Sequence, residues 1–149
     1  MYSYRILLIG GGTGGHVYPL VAVSKELQNL AKERGANFEL MALADNENWR
    51  KDFENVGVRF RKISSAKFRQ VEGGRTDFLA FFKLLASLIQ SFWILFFFMP
   101  DLVFSKGGFA SVIPSFIARS YFIPLFIHES DAIPGKANKF LAKFAKKVF

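Results

Sequence analysis

Ile6-Leu7-Leu8-Ile9-Gly10-Gly11-Gly12-Thr13-Gly14-Gly15-His16 is an apolar run that feeds directly into glycines. Four apolar residues, then small ones, then a helical pattern from Tyr18 onward, is how a buried parallel strand delivers a turn to a helix N-terminus. Such a turn is suited to anions. Glycines let the backbone approach a phosphate and take positive φ, while free N–H groups and the positive end of the helix dipole face the ligand. Gly10-x-Gly12-x-x-Gly15 fits the dinucleotide-binding fingerprint, but that fingerprint places an acidic residue about 20 positions further on. Asp45 lies thirty residues after Gly15, too far on for that role. A P-loop ends in Gly-Lys-Ser/Thr, and this loop ends in Gly14-Gly15-His16. Glycines that only pack helix against strand are the plain structural alternative.

At 149 residues the chain is long enough for one domain, residues 1–149, and no second core is expected. Half of it is hydrophobic and 19 residues are phenylalanine, which suggests that some apolar surface meets something other than water. A formal charge of +8 points to an anionic partner. The absence of cysteine excludes disulfides and thiolate metal sites and fits a reducing compartment. Residues 1–5 lead straight into the first strand and read as no secretory leader.

Leu20, Val23, Leu27, Leu30 and Ala31 recur at helical spacing after the loop, with Arg34-Gly35 as a basic last turn and a glycine stop. Pro19 is expected in or before the first turn. Residues 38–43 read as a second strand, 46–55 as a short charged helix and 58–63 as a third strand. Strands alternating with helices imply a doubly wound parallel sheet of the Rossmann-like α/β class. Residues 64–76 carry Lys67, Arg69, Arg75 and Gly73-Gly74 without apolar period, and read as a mobile basic loop, either solvated or touching phosphates or headgroups.

Residues 78–99 are the most hydrophobic stretch. Lys83 interrupts it and leaves sixteen residues, 84–99, slightly under the roughly 17 to 25 of a membrane span. Lys83, Ser87, Gln90 and Ser91 form one narrow polar stripe, which favours a crossover helix of the sheet. Its other faces carry Phe78, Phe81, Phe82, Phe92, Trp93, Phe96, Phe97 and Phe98, more than a sheet alone can cover. A helix with one face on a bilayer, a wholly buried helix and a true span are the three readings.

Pro100-Asp101 ends this helix, residues 102–104 make the fourth strand, and Ser105-Lys106-Gly107-Gly108-Phe109 forms a second glycine turn before a second helix with Pro114 in its first turn. Two such loops at strand ends can face one crevice, where open α/β sheets bind ligands. Residues 124–127 are the fifth strand, followed by His128-Glu129-Ser130-Asp131-Ala132-Ile133-Pro134-Gly135. A last helix is expected to gather Lys136, Lys139, Lys143, Lys146 and Lys147 around Phe140 and Phe144. That face is either solvated or, together with Phe78, Phe81, Phe82 and Trp93, a peripheral patch on anionic lipid through Lys136, Lys139, Phe140 and Lys143. No recognised nucleic-acid module is present.

The full wording of the first loop, Gly11-Gly12-Thr13-Gly14-Gly15-His16-Val17-Tyr18-Pro19, resembles that of the MurG family. These are peptidoglycan glycosyltransferases that add N-acetylglucosamine to lipid-linked muramyl pentapeptide. Gly107, Gly108 and Phe109 resemble the family's second glycine loop. His128, Glu129, Gly135 and Asn138 match its His-Glu-Gln-Asn segment, which departs here at Ser130 and Asp131. The resemblance covers nearly the whole chain and implies the acceptor-side half of a GT-B transferase. The C-terminal donor-binding domain would then be missing or carried by a separate chain, and the sequence would be a fragment or one subunit of a split enzyme. It further implies UDP-GlcNAc as donor, an undecaprenyl-diphosphate muramyl acceptor (lipid I to lipid II), and a place at the cytoplasmic membrane face. No cofactor or metal is implied.

By the same resemblance, Thr13, Gly14 and Gly15 contact substrate or donor phosphate, and Gly107, Gly108, Phe109, His128, Glu129, Asp131 and Asn138 belong to the substrate site. Sugar transfer from a nucleotide diphosphate needs a base for the acceptor hydroxyl and positive potential for the leaving diphosphate. The chain has two histidines, both at expected strand ends. His16 is the better candidate base, with a phosphate hydrogen bond or a helix cap as its alternative role, and His128 reads more simply as a structural hydrogen-bonding residue. Two other functions stay open: a non-enzymatic membrane-associated subunit recruiting a donor-binding chain, and a dinucleotide-binding module.

Overall fold

The computed structural model describes residues 3–65 and 78–149. Six strands form one parallel sheet in the order β3-β2-β1-β4-β5-β6. They are β1 (Ser3–Gly10), β2 (Asn37–Ala44), β3 (Arg59–Lys62), β4 (Leu102–Gly107), β5 (Leu125–Ile127) and β6 (Lys147–Val148). Interleaved with them are α1 (Gly14–Arg34), α2 (Arg50–Glu54), α3 (Phe78–Phe98), α4 (Phe109–Ser120) and α5 (Lys136–Leu141).

The apolar run of β1 is continuous because both of its faces are covered. Ile6 and Leu8 pack with Val17 and Leu20 of α1 and Phe53 of α2, whereas Leu7 and Ile9 pack with Leu95 of α3, Ile117 of α4 and Leu141 of α5. Alternate side chains of one strand thus enter two separate cores, as the period of two requires. Sequence order reverses between β1 and β4, which pair from Ile6 opposite Leu102 to Gly10 opposite Gly107. A doubly wound sheet opens its ligand crevice at such a switch point, outside the strand C-termini.

Several boundaries differ from the expected ones. Helix α1 begins at Gly14, so Pro19 is its sixth residue and lies beyond the first turn. Lacking an N–H, it leaves the Gly15 carbonyl without its usual helical donor. The helix ends as expected at Gly35, at φ 60°, whose N–H donates to the Ala31 and Lys32 carbonyls. Strand β4 continues through Ser105 and Lys106 to Gly107, because each still has a buried place in the sheet. The lysine helix stops at Leu141; Lys143 follows in a turn and Lys147 lies on the edge strand β6, its ammonium 4.6 Å from the Phe149 ring centroid. The five lysines therefore do not share one helix face. The basic segment with Lys67, Arg69 and Arg75 lies outside the described residues, as does the side chain of Phe78.

Helix α3 turns Ser87, Gln90 and Ser91 of its polar stripe inward and leaves Lys83 exposed. Ser87 and Ser91 are buried at 3% and 0% exposure, Ser91 Oγ donates to the Ser87 carbonyl at 2.6 Å, and Gln90 Oε1 accepts the Ser64 N–H at 2.8 Å. Small side chains let the helix approach α4 closely, and the Ser91 hydroxyl finds its carbonyl within the helix itself. Apart from Phe98, which is 5% exposed in the core, the large rings described on this helix lie toward the outer face. Phe81, Phe82, Trp93 and Phe97 are 60, 52, 50 and 75% exposed. The wholly buried reading of this helix is thereby corrected. Lys83 does not interrupt it, and among the described residues α3 is the one helix long and apolar enough to cross a membrane by length and composition, with 22% of that stretch buried.

Candidate functional site

The site forms where the loops after β1 and β4 touch. After β1, Gly11 and Gly12 turn away from the strand, and Asp45, just past β2, holds the turn: its Oδ1 accepts the Gly12 N–H at 2.8 Å and its Oδ2 the Ser65 hydroxyl at 3.2 Å. Thr13 is the N-cap of α1 without a side-chain capping bond, and the first turn carries no acidic residue. The positive end of α1 therefore faces open space.

The loop after β4 presses directly on the first. Gly107 and Gly108 have φ 98° and 86°, in the region that L side chains rarely adopt. A Cβ on Gly108 would lie 2.5 Å from the Gly11 carbonyl oxygen, and one on Gly107 would lie 2.6 Å from Asn138 Oδ1. Only glycine at these two places lets β4, the first loop and α5 meet.

The third part is the segment after β5. Glu129 accepts hydrogen bonds from the Asp131 N–H at 3.0 Å, the Gly135 N–H at 3.1 Å and Asn138 Nδ2 at 3.0 Å. One carboxylate thus folds residues 129–138 into a loop. Burial works to raise the Glu129 carboxyl, but the donors from Asp131, Asn138 and Gly135, with the Lys106 ammonium, outweigh it and hold the group below its ordinary value. Lys106 itself is 2% exposed and donates to Ser130 Oγ at 2.9 Å. The departure at Ser130 is therefore the hydroxyl that receives a buried cation.

Together these loops enclose a cleft of about 310 Å³. Of the residues expected at the site, Thr13, His16, Gly108, Phe109, Glu129, Asp131 and Asn138 line it, with Asp45 and Lys136. Gly14 and Gly15 lie one step further on in the first turn of α1, and Gly107 lies behind it against Asn138. His128 does not line the cleft; its ring stacks on Phe104 at 6.3 Å and its N–H donates to the Ser105 carbonyl at 2.9 Å. His16 Nδ1 is buried and has no hydrogen-bond partner among the described residues. An unpaired buried nitrogen costs about 1–3 kcal/mol, and the rest of the half-buried His16 ring stands at the cleft wall. Among the described residues no group of three or more His, Asp or Glu is placed to hold a metal ion.

Two residues of the site escape a sequence reading. Asp45 is spaced wrongly for a ribose-binding acid, and its use is to clamp the loop from the neighbouring strand. Lys106 reads as a turn residue, and only the continuation of β4 buries it. The Glu129 geometry gives a pH-dependent expectation. A carboxyl held low stabilises the fold fully above its unfolded value near 4.5, and this contribution is lost as pH falls through the folded value. Glu129→Gln, with one oxygen for three donors, should lower urea-denaturation stability by about 1–3 kcal/mol at pH 7. The gap from the unsubstituted chain should close below pH 4.5; a gap of constant size down to pH 3 would contradict this role.

Residues 6–149 match the family model described as the glycosyltransferase family 28 N-terminal domain. A relative from Treponema pallidum, named "UDP-N-acetylglucosamine--N-acetylmuramyl-(pentapeptide) pyrophosphoryl-undecaprenol N-acetylglucosamine transferase", is 36% identical over 96% of this chain and 36% of its own. One of the same name from Geobacter metallireducens is 38% identical over 97% of this chain and 39% of its own. This chain therefore spans less than half the length of these curated relatives. The crystal structure of Acinetobacter baumannii MurG superposes with a TM-score of 0.76 at 26% identity, covering 97% of this chain and 40% of that one. A putative UDP-N-acetylglucosamine 2-epimerase from Listeria monocytogenes shares the fold, with a TM-score of 0.66 at 13% identity over all of this chain and 39% of that one. With the matched residues running from the first strand through all three loops of the cleft, this chain belongs to the glycosyltransferase family 28 N-terminal domain family.

Proposed function

We propose that this chain is the acceptor-binding half of a hexosyltransferase that moves N-acetylglucosamine from UDP-GlcNAc to undecaprenyl-diphosphate-linked N-acetylmuramyl pentapeptide, the step from lipid I to lipid II in peptidoglycan synthesis. The observation that carries the reading is the cleft between two glycine loops, open at the N-terminus of α1 and walled by a histidine with an unpaired ring nitrogen. The names of the relatives supply the substrates. In this reading the loop amides and the dipole of α1 bind the acceptor diphosphate. His16 takes the proton of the acceptor hydroxyl as its oxygen attacks the anomeric carbon, and UDP departs on a second, donor-binding domain outside the matched N-terminal one. Glu129 and Asn138 hold the third loop in place, and Asp131 faces the cleft as a hydrogen-bond acceptor.

The outward face of α3 supports peripheral attachment to the cytoplasmic face of an anionic membrane. Phe81, Phe82 and Trp93 supply apolar area there, and Lys136, Lys139 and Lys143 with Phe140 supply a basic neighbour on α5 and the turn after it.

Two experiments test these readings. When the chain is combined with a family donor domain and given labelled UDP-GlcNAc and a short-chain lipid-linked muramyl acceptor, His16→Ala should cut kcat by about 10²–10⁴-fold with an unchanged urea midpoint. Undiminished turnover would remove His16 as the base, and no turnover by the unsubstituted pair would favour a non-enzymatic subunit. On vesicles, binding should strengthen with phosphatidylglycerol content and weaken with salt. Replacing Lys136, Lys139 and Lys143 with Gln should cost roughly fivefold per lysine on anionic vesicles only, whereas Phe81→Ser with Phe82→Ser should weaken binding at every salt concentration. Equal binding by all of these proteins would exclude the face named here.

A further inference from the structure

We propose that an apolar groove beside the cleft holds the first isoprenoid units of a polyprenyl diphosphate, so that the chain reads the lipid of its acceptor as well as the head. This rests on the acceptor reading above. The groove has a volume of about 230 Å³ and runs between α3, α4 and α5, with Leu84 on one wall, Val112 and Ile113 on another and Phe140 on the third. It is continuous with the glycine-loop cleft: Phe109, Lys136 and Ala137 line both. A ligand whose anionic part sits at the loops and whose apolar part leaves past Ala137 therefore meets mainly aliphatic and aromatic side chains, with Ser65 and Ser87 among them.

The occupant follows from the two chemistries placed end to end. The cleft offers backbone amides and the positive end of α1, and Lys136 stands exposed at the seam, where a diphosphate would pass into an alkyl chain. Beyond the seam the groove is concave and lined by branched and aromatic carbons, which suits a single methyl-branched chain. The convex rings of α3 project outward instead and suit a bilayer surface. A free phosphate would use only the first half, and a fatty alcohol only the second.

Calorimetric titration of the chain with inorganic diphosphate, farnesyl diphosphate below its micelle concentration, and farnesol separates these cases. Each buried methylene contributes enough that about two give a tenfold gain, so farnesyl diphosphate should bind at least tenfold tighter than inorganic diphosphate and than farnesol. Val112→Trp, which fills the groove, should bring the two diphosphates to within about twofold while inorganic diphosphate binds as before; Leu84→Trp does the same from the opposite wall if the first variant fails to fold. Farnesyl diphosphate binding no tighter than inorganic diphosphate would overturn the groove and leave the acceptor reading standing. Farnesol binding as tightly as farnesyl diphosphate would show an apolar site unlinked to the cleft and also overturn it. If neither diphosphate binds, the acceptor reading fails, and this proposal with it.

Discussion

The close approach of Gly108 to the Gly11 carbonyl is the constraint on which the site depends. A single added carbon at residue 108 would sit 2.5 Å from that oxygen. The contact is possible because β1 and β4 are neighbours in the sheet although almost a hundred residues separate them, and because both loops leave the sheet at the same end. Once the loops touch, the N-terminus of α1 and the start of α4 flank one opening. Asp45 from the next strand and Asn138 from α5 then lock the two loops from either side. In the proposed reading a phosphate-sized anion meets loops already held in place, so little ordering cost remains to be met on binding.

Helix α3 shows the same economy of space working against solubility. Leu95 and Phe98 pack on the core under the sheet while buried Ser87 and Ser91 take up much of the remaining inward face, so little apolar area is hidden by this crossover, and ten bulky side chains from Leu79 to Phe97 are left outside. A patch of that kind is characteristic of surfaces that meet a lipid or a partner. It lies on the same side of the sheet as α4 and α5, whose residues line the groove leading from the cleft. The proposed function uses this juxtaposition: the head of a lipid-linked sugar would reach the strand ends while its tail stays in apolar surroundings.

Much of this was legible in the residues alone. An apolar run ending in glycines can be little other than a buried parallel strand entering a helix, and its repetition at residues 102–109 announces a sheet with two facing loops. Tertiary placement was not legible. The polar stripe of α3 is visible at helical spacing, but whether serines face water or close packing depends on what lies opposite. Five lysines at helical spacing look like one face until the chain must enter β6, which ends the helix at Leu141. Lys106 looks like a turn residue because local sequence favours polarity at loops, yet the partnership with Ser130 and Glu129 comes from a loop 24 residues away. His128 and His16 look equivalent as strand-end histidines; neighbouring Phe104 draws the first away, and the turn of α1 brings the second to the cleft.

The claim that the two touching loops form the acceptor diphosphate site is tested most directly by following backbone amide resonances while a water-soluble muramyl diphosphate is added. Saturable shifts centred on Gly11, Gly12 and Gly108, with a change at the His16 ring, are the result this account predicts. Shifts that leave those three glycines unmoved, at ligand concentrations that saturate binding, would contradict it.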